Sequence, residues 1–350
     1  MSKTFILACD GGGIRGYITA TVLQALEGKQ SFLSLAGLNA GTSTGSFISL
    51  ALAAGVSIDT IQTQYQRDKA APIFTVNPNI GSAKARSGLP QPTGVGGVWD
   101  DILTYLGELT NASYTNTGVA NVAQSLLGSS TTLGQIGSIV VNTVQLDQNG
   151  VWAPLSITNA PGGAFADMLA WEAALCSGAA PIYFPPYAPT SLALGFCADG
   201  GLFANNPSMT AILTALASGV ALSDIVLLSM DTGTTSDGMP AAVIDGWGGP
   251  LDMGPVQWLI PVAATNGATT TPKFPLLSTL MDTSSAAITA SAQQLLGPRF
   301  LRVSVPLTAP VALDDTSEAA YATMDASIAD FVASDAFTAA VDWIASNVVA

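Results

Sequence analysis

Histidine is absent from all 350 residues. No Ser-His-Asp or Cys-His catalytic unit can be built from this chain, nor an imidazole metal site, so any general base must be another group. Charge is scarce as well: charged residues are 10% of the sequence and mean hydropathy is +0.44. That balance argues against disorder and against the ion-pair-rich surfaces of hyperthermophiles. Positive charge is the scarcer sign, with 10 Lys and Arg against 24 Asp and Glu for a net charge of −14. Such a surface repels phosphate backbones, which argues against nucleic acid as a partner. Three cysteines, Cys9, Cys176 and Cys197, are too few for a Cys₄ zinc site and odd in number for a disulfide framework, and they suit a reducing compartment.

Long uncharged stretches are present but broken. Residues 30–58 carry Asn39, four glycines and a Ser/Thr cluster, while residues 173–198 carry Pro181, Pro185, Pro186 and Pro189. Neither reads as a membrane span. The apolar run at residues 5–9 stops at Asp10, shorter than the apolar core of a signal peptide. It is expected to be a buried first strand of a cytoplasmic protein.

The remaining pattern alternates strand and helix. Residues 5–9 precede a glycine cluster and a helical spacing over 18–27; residues 32–40 precede Gly41-Thr42-Ser43-Thr44-Gly45 and a helix-like stretch over 47–54. Ser57 is placed to cap a helix from 58 to about 68. Strands are expected at 139–146, 225–230 and 300–305, and helices at 166–176 and over 325–349. The order favours a mainly parallel sheet with helices on both faces. No internal repeat or low-complexity linker divides the chain, so one domain is expected over 1–350, with a motif-bearing core at about 5–305 and a C-terminal helical segment at about 315–350. Residues 70–97 contain no acidic residue, and Lys69, Lys84 and Arg86 lie in or beside them. This locally basic stretch reads either as a solvated loop or as a lid over a site.

Gly41-x-Ser43-x-Gly45 has the form of a nucleophile elbow, a serine on a cramped strand-to-helix turn flanked by glycines. Asp10-Gly11-Gly12-Gly13-Ile14-Arg15-Gly16 satisfies G-x-G-x-x-G between a strand and a helix, so a dinucleotide site and an oxidoreductase must be weighed. Against that reading, Asp10 would set a carboxylate beside a pyrophosphate. The glycine N–H groups alternatively form an oxyanion hole, donors aimed where negative charge develops in acyl transfer. A serine nucleophile needs a base. None of the five lysines has a serine three positions before it, which leaves a carboxylate, and Asp199 in Asp199-Gly200-Gly201 is the candidate. Asp231-Thr232-Gly233 resembles an aspartic-protease half-site, but Asp282-Thr283-Ser284 lacks the matching glycine. Cys9 and Cys197 flank these segments and read as small buried hydrophobes. Tyr183, Phe184 and Tyr187 are open to two readings, acyl-pocket lining or plain core.

Taken in order, Asp10 to Gly16, Gly41 to Gly45, Ser177-Gly178-Ala179-Ala180-Pro181-Ile182-Tyr183-Phe184, and Asp199-Gly200-Gly201 with Asn205-Asn206-Pro207 resemble the four sequence blocks of the patatin-like phospholipases. The resemblance extends from about residue 5 to about 305. It implies a three-layer α/β/α fold and a Ser-Asp dyad that hydrolyses acyl esters of lipids. By position, Ser43 is the nucleophile, Asp199 the base, the N–H groups around Gly11, Gly12 and Gly13 the oxyanion hole, and Arg15 a residue that orients that loop. Ser46 stands where the family commonly has glycine, and Asn39 and Ala40 replace more apolar residues. The expected substrate is a lipid or small ester met by transient contact with a membrane surface, with no metal or organic cofactor. The non-enzymatic rival is an apolar-ligand or membrane-surface binding protein on the same scaffold.

Overall fold

The structure, a computed structural model, describes residues 3–79, 111–160, 163–235 and 275–349 with short stretches between 238 and 258. Seven strands are formed among these residues: β1 (Thr4–Cys9), β2 (Ala36–Thr42), β3 (Ile139–Gln148), β4 (Val151–Thr158), β5 (Cys197–Asp199), β6 (Ile225–Met230) and β7 (Phe300–Val303). They make one sheet in the order β4-β3-β2-β1-β6-β7, with β5 pairing to β3 off that path. The strands β1, β2, β3, β6 and β7 are parallel, whereas β4 and β5 pair antiparallel to β3. The mainly parallel sheet is therefore present, closed at one edge by a hairpin whose turn residues Asn149 and Gly150 both adopt positive φ.

Helices longer than two turns are α1 (Gly16–Glu27), α2 (Thr44–Ala53), α4 (Asn116–Leu127), α5 (Ala170–Gly178), α6 (Ser208–Ala217), α7 (Pro275–Leu296), α8 (Glu318–Val332) and α9 (Asp335–Ile344); the shorter α3 (Ile58–Gln64) follows α2. Side-chain alternation along β1 sorts them into layers. Phe5, Leu7 and Cys9 enter a core built with α1, α2, α4, α5, α8 and α9. Ile6 and Ala8 enter a second core, covered by Ala211, Ile212 and Ala215 of α6 and Ala292 and Leu296 of α7. Because β1 is apolar on both sides, both of its faces must be covered, and the outcome is a three-layer α/β/α sandwich.

Expected helix bounds shift: α5 covers Ala170–Gly178 rather than 166–176, and the C-terminal helices begin at Glu318 rather than 325. Ser57 caps α3 through the Thr60 N–H at 3.2 Å, but the helix ends at Gln64 rather than near residue 68. The Tyr65 carbonyl, which a continuing helix would use, accepts the Tyr321 hydroxyl at 2.6 Å. Of the basic stretch, residues 70–79 are described, and Lys84 and Arg86 lie outside the described residues.

Candidate active site

The sheet itself brings Ser43 to Asp199. One side of β3 pairs with β4, so β2 and β5 must share the other. There, β2 pairs with β3 through Thr42 opposite Asn142, and the next residue, Thr143, pairs with Asp199 of the antiparallel β5. The carboxyl ends of β2 and β5 thus meet head to head. Ser43 follows one and Asp199 ends the other.

Ser43 has φ +52° and ψ −126°, a left-handed conformation that is strained for a residue with a Cβ and that forms the elbow. Its N–H donates to Ser177 Oγ at 2.8 Å, and its carbonyl accepts the Ser46 hydroxyl at 2.6 Å. Ser46, unusual at that position, therefore closes the turn. A Cβ on Gly45 would lie 2.0 Å from the Cys9 carbonyl oxygen, so only glycine lets the start of α2 press against the end of β1.

Asp199 is 3% exposed. Its Oδ1 accepts the Gly201 N–H at 2.7 Å, and its Oδ2 has no hydrogen-bond partner. Burial pushes the carboxyl pKa up to about 6, against opposing stabilisation of the anion by the Ser43 hydroxyl and the Gly201 N–H. The Ser43 hydroxyl is thus near enough to act on the carboxylate, yet no closed hydrogen bond joins them. Catalytic contacts are often long until substrate is bound.

The glycine loop is held from several directions. The Gly11 N–H donates to the Asn205 carbonyl at 3.2 Å and the Ile14 N–H to the Leu313 carbonyl at 2.8 Å, while the Gly11 carbonyl accepts Thr232 Oγ1 at 3.1 Å and Asn205 Nδ2 at 3.3 Å. Gly11 is therefore spent as a donor. Gly12 and Gly13 line a cavity with Ser43 and Asp199, and among the described residues their N–H groups donate to nothing. Of the three glycines expected to supply oxyanion-hole donors, only Gly12 and Gly13 keep their amides for that role.

The residue that sequence reasoning missed is Arg302 on β7. Its guanidinium grips Asp10 in a bidentate pair, Nη1 to Oδ1 at 2.8 Å and Nη2 to Oδ2 at 2.6 Å, and also donates to Ser229 Oγ at 2.7 Å. Asp231 Oδ2 lies 3.9 Å from the same guanidinium. Burial raises the Asp10 pKa to about 6 despite the opposing effect of Arg302. The three residues stand at the ends of β1, β6 and β7, one below the other in no sequence pattern, so only the strand order could have joined them. Arg15, expected to orient the loop, sits half-buried in the turn Gly13–Arg15 that continues from it, and its charge acts on Tyr183. Asp231, the aspartic-protease lookalike, shares a cation with Asp10 and also accepts the Gly233 N–H at 2.9 Å. Two of the amides a pyrophosphate would use at this loop, those of Gly11 and Ile14, are already bonded to the Asn205 and Leu313 carbonyls, which opposes the dinucleotide reading.

Of the aromatic cluster, Tyr183 and Phe184 line the cavity, whereas the Tyr187 hydroxyl donates to Glu172 at 3.0 Å. Cys9, Cys176 and Cys197 are buried and free, and burial raises the Cys9 pKa to about 12, as expected of core thiols.

The turn carrying Ser43 and the buried carboxyl of Asp199 thus meet at the carboxyl edge of the parallel strands of a three-layer α/β/α sandwich. The family model for patatin-like phospholipase matches residues 7–212, and the chain belongs to that family. It is 27% identical over 269 residues to Patatin-like protein 1 of Oryza sativa subsp. indica, covering 67% of this chain and 60% of that protein. It is 27% identical over 296 residues to the putative sporulation hydrolase CotR of Bacillus subtilis, covering 76% and 82%. A cGAMP-activated phospholipase of Escherichia coli is 26% identical over 221 residues, covering 59% and 54%. The chain thus spans about three-fifths of the rice relative. VipD of Legionella pneumophila aligns over 99% of this chain and 80% of its own at 13% identity, with a TM-score of 0.37.

Proposed function

We propose that this chain is a serine acyl hydrolase of lipids or simpler carboxylic esters, with Ser43 as nucleophile and Asp199 as base. The observation that carries the reading is the head-to-head meeting of a strained serine with a buried carboxyl whose Oδ2 is unpartnered, beside two unused amides. Ser43 Oγ attacks the ester carbonyl carbon while Asp199 takes its proton, and the carbonyl oxygen gathers negative charge facing the Gly12 and Gly13 N–H groups. As the C–O bond breaks, Asp199 returns that proton to the leaving alcohol oxygen. Water then attacks the acyl-Ser43 ester with Asp199 again as base, which frees the acid and restores the serine. No metal or organic cofactor enters this scheme. Family membership and relatives named as phospholipases support lipid esters as the substrate class, reached by transient contact with a membrane surface.

The test is labelling of the full chain with a fluorophosphonate, followed by peptide mass spectrometry. Label on Ser43, with losses of about 10³-fold or more in kcat for folded Ser43→Ala and Asp199→Asn, is the expected result. Lipid binding without label would make the chain a binding protein on the same scaffold. Retained esterase activity in either folded variant would remove the dyad.

A further inference from the structure

Strand β3 does not stop where its parallel neighbour does. The pairing of β2 with it ends at Thr42 opposite Asn142, while β3 runs on to Gln148 and returns as β4. Asp199 is level with Thr143. At about 3.3 Å per residue, Leu146 stands about 10 Å beyond Asp199, so the hairpin projects past the edge that carries Ser43.

Side-chain alternation sets what the projection displays. Ala153 and Cys197 lie on either side of Gln145, so Trp152 and Phe196, each one position nearer the tip, share the opposite face. Between them runs Leu146, whose N–H donates to the Phe196 carbonyl at 2.9 Å. Trp152 is 83% exposed, Phe196 60% and Val151, at the turn, 61%. A single apolar side chain in water needs no explanation, but two aromatic rings on one face of a projecting tip do.

Area and charge decide what covers them. The two rings offer roughly 300 Å² together, from the size of whole aromatic side chains, well short of the about 800 Å² that each partner gives to a standard protein interface. Pairing of β4 with a second copy is opposed as well, because Pro154 has no N–H to donate. A lipid surface requires neither, and tryptophan settles at the level of its headgroups. The hairpin strands hold one ionisable side chain, Asp147, whose carboxylate accepts the Gly150 N–H at 2.7 Å. They offer no cation to an anionic headgroup. We infer that the β3–β4 tip, with Phe196 beside it, docks the chain on a zwitterionic lipid surface. Elements lying in such an interface enter it by about 5–10 Å, which takes up the length of the tip and brings Ser43 and Asp199 to the membrane surface. What the docked site then does rests on the hydrolase reading above.

The experiment compares the full chain with the double variant Trp152→Thr, Phe196→Thr, in which threonine keeps the strand. Flotation with phosphatidylcholine vesicles and hydrolysis of 4-methylumbelliferyl oleate carried in them should both fall at least ten-fold. For p-nitrophenyl butyrate in solution, kcat/KM should stay within two-fold. Brominated phosphatidylcholine should quench the tryptophan fluorescence of the parent more than that of Trp152→Phe. No flotation of the parent, or equal flotation of parent and double variant, with Ser43 still labelled by fluorophosphonate, overturns the docking site and leaves the hydrolase reading intact. Loss of soluble-ester activity in the folded double variant also overturns it, since the tip would then shape the site. So does a dimer of the parent that the double variant dissociates while flotation persists. Failure of the hydrolase reading shows separately, as no ester cleaved and no label on Ser43 while flotation still depends on Trp152 and Phe196.

Discussion

If Asp199 is the base, as proposed above, the requirements of activity and stability are opposed there. Its folded pKa is raised to about 6, chiefly by burial, whereas an unfolded Asp titrates near 3.9. The folded protein therefore holds this proton more tightly, and the stability so gained is complete below about pH 4 and lost as pH rises through about 6. Above that, a charged carboxylate in a closed site costs the fold up to about 3 kcal/mol by the size of the shift. The proposed base works only in that charged form. The expected outcome is that kcat/KM rises through about pH 6 and then flattens, with no imidazole step, while Asp199→Asn loses the activity and gains melting temperature at pH 8 but not at pH 4. Asp10 has a pKa in the same range, so the variant is needed to tell them apart. A rising limb that survives in the residual activity of Asp199→Asn would make another carboxyl the base.

Helix α5 carries another buried carboxyl with the opposite setting. Glu172 is 0% exposed and accepts the Thr190 and Ser191 N–H groups at 2.8 and 2.9 Å, the Thr190 hydroxyl at 2.7 Å, and also the hydroxyls of Ser191 and Tyr187. Burial alone would raise its pKa, but these donors together outweigh burial and lower it. Its contribution is therefore present at neutral pH and lost as pH falls through the acid range below the ordinary carboxyl value. Glu172→Gln, which presents an amide to a ring of donors, should lower stability at pH 7 by about 2 kcal/mol or more, read from urea unfolding, with the deficit shrinking toward pH 3. No change at pH 7 would show that the loop 187–191 does not depend on this anchor. The role of Glu172 was not legible in the sequence, because its partners follow 15 to 19 residues later in a proline-broken segment. Legibility elsewhere followed the same rule. Strand β6 was readable to its end residues, since a run of six residues with Ser229 as its one polar member is set by its own composition. The helices α4, α6 and α7 were not, being rich in Ser, Thr, Ala and Asn whose propensities are weak until a neighbour buries one face, and strand β4 was not, because Pro154 interrupts it. Ser43 and Asp199 were visible as motifs, but Arg302 was not, since its partner Asp10 stands 292 positions away.

Over the whole molecule the net charge of −14 acts on any lipid surface before the site does. No helix among the described residues is long and apolar enough to cross a membrane. An anionic vesicle and an acidic protein repel across roughly 10 Å at 0.1 M salt and across about 30 Å at 0.01 M. Hydrolysis of lipid in anionic vesicles at about 0.01 M salt should therefore be several-fold slower than in zwitterionic vesicles, and the gap should close near 1 M, where screening is complete within about 3 Å. A soluble neutral ester, which has no such barrier, should be cleaved at a rate that salt leaves nearly unchanged. These two substrates separate an effect on encounter from an effect on Asp199, whose ionisation would alter both. Faster turnover on anionic vesicles at low salt would mean that local positive charge, such as exposed Lys69 with Lys84 and Arg86, outweighs the net charge at the point of contact. Replacing Lys84 and Arg86 by Gln should then abolish that advantage, and if it does not, the basic stretch is an ordinary loop and attraction has another origin.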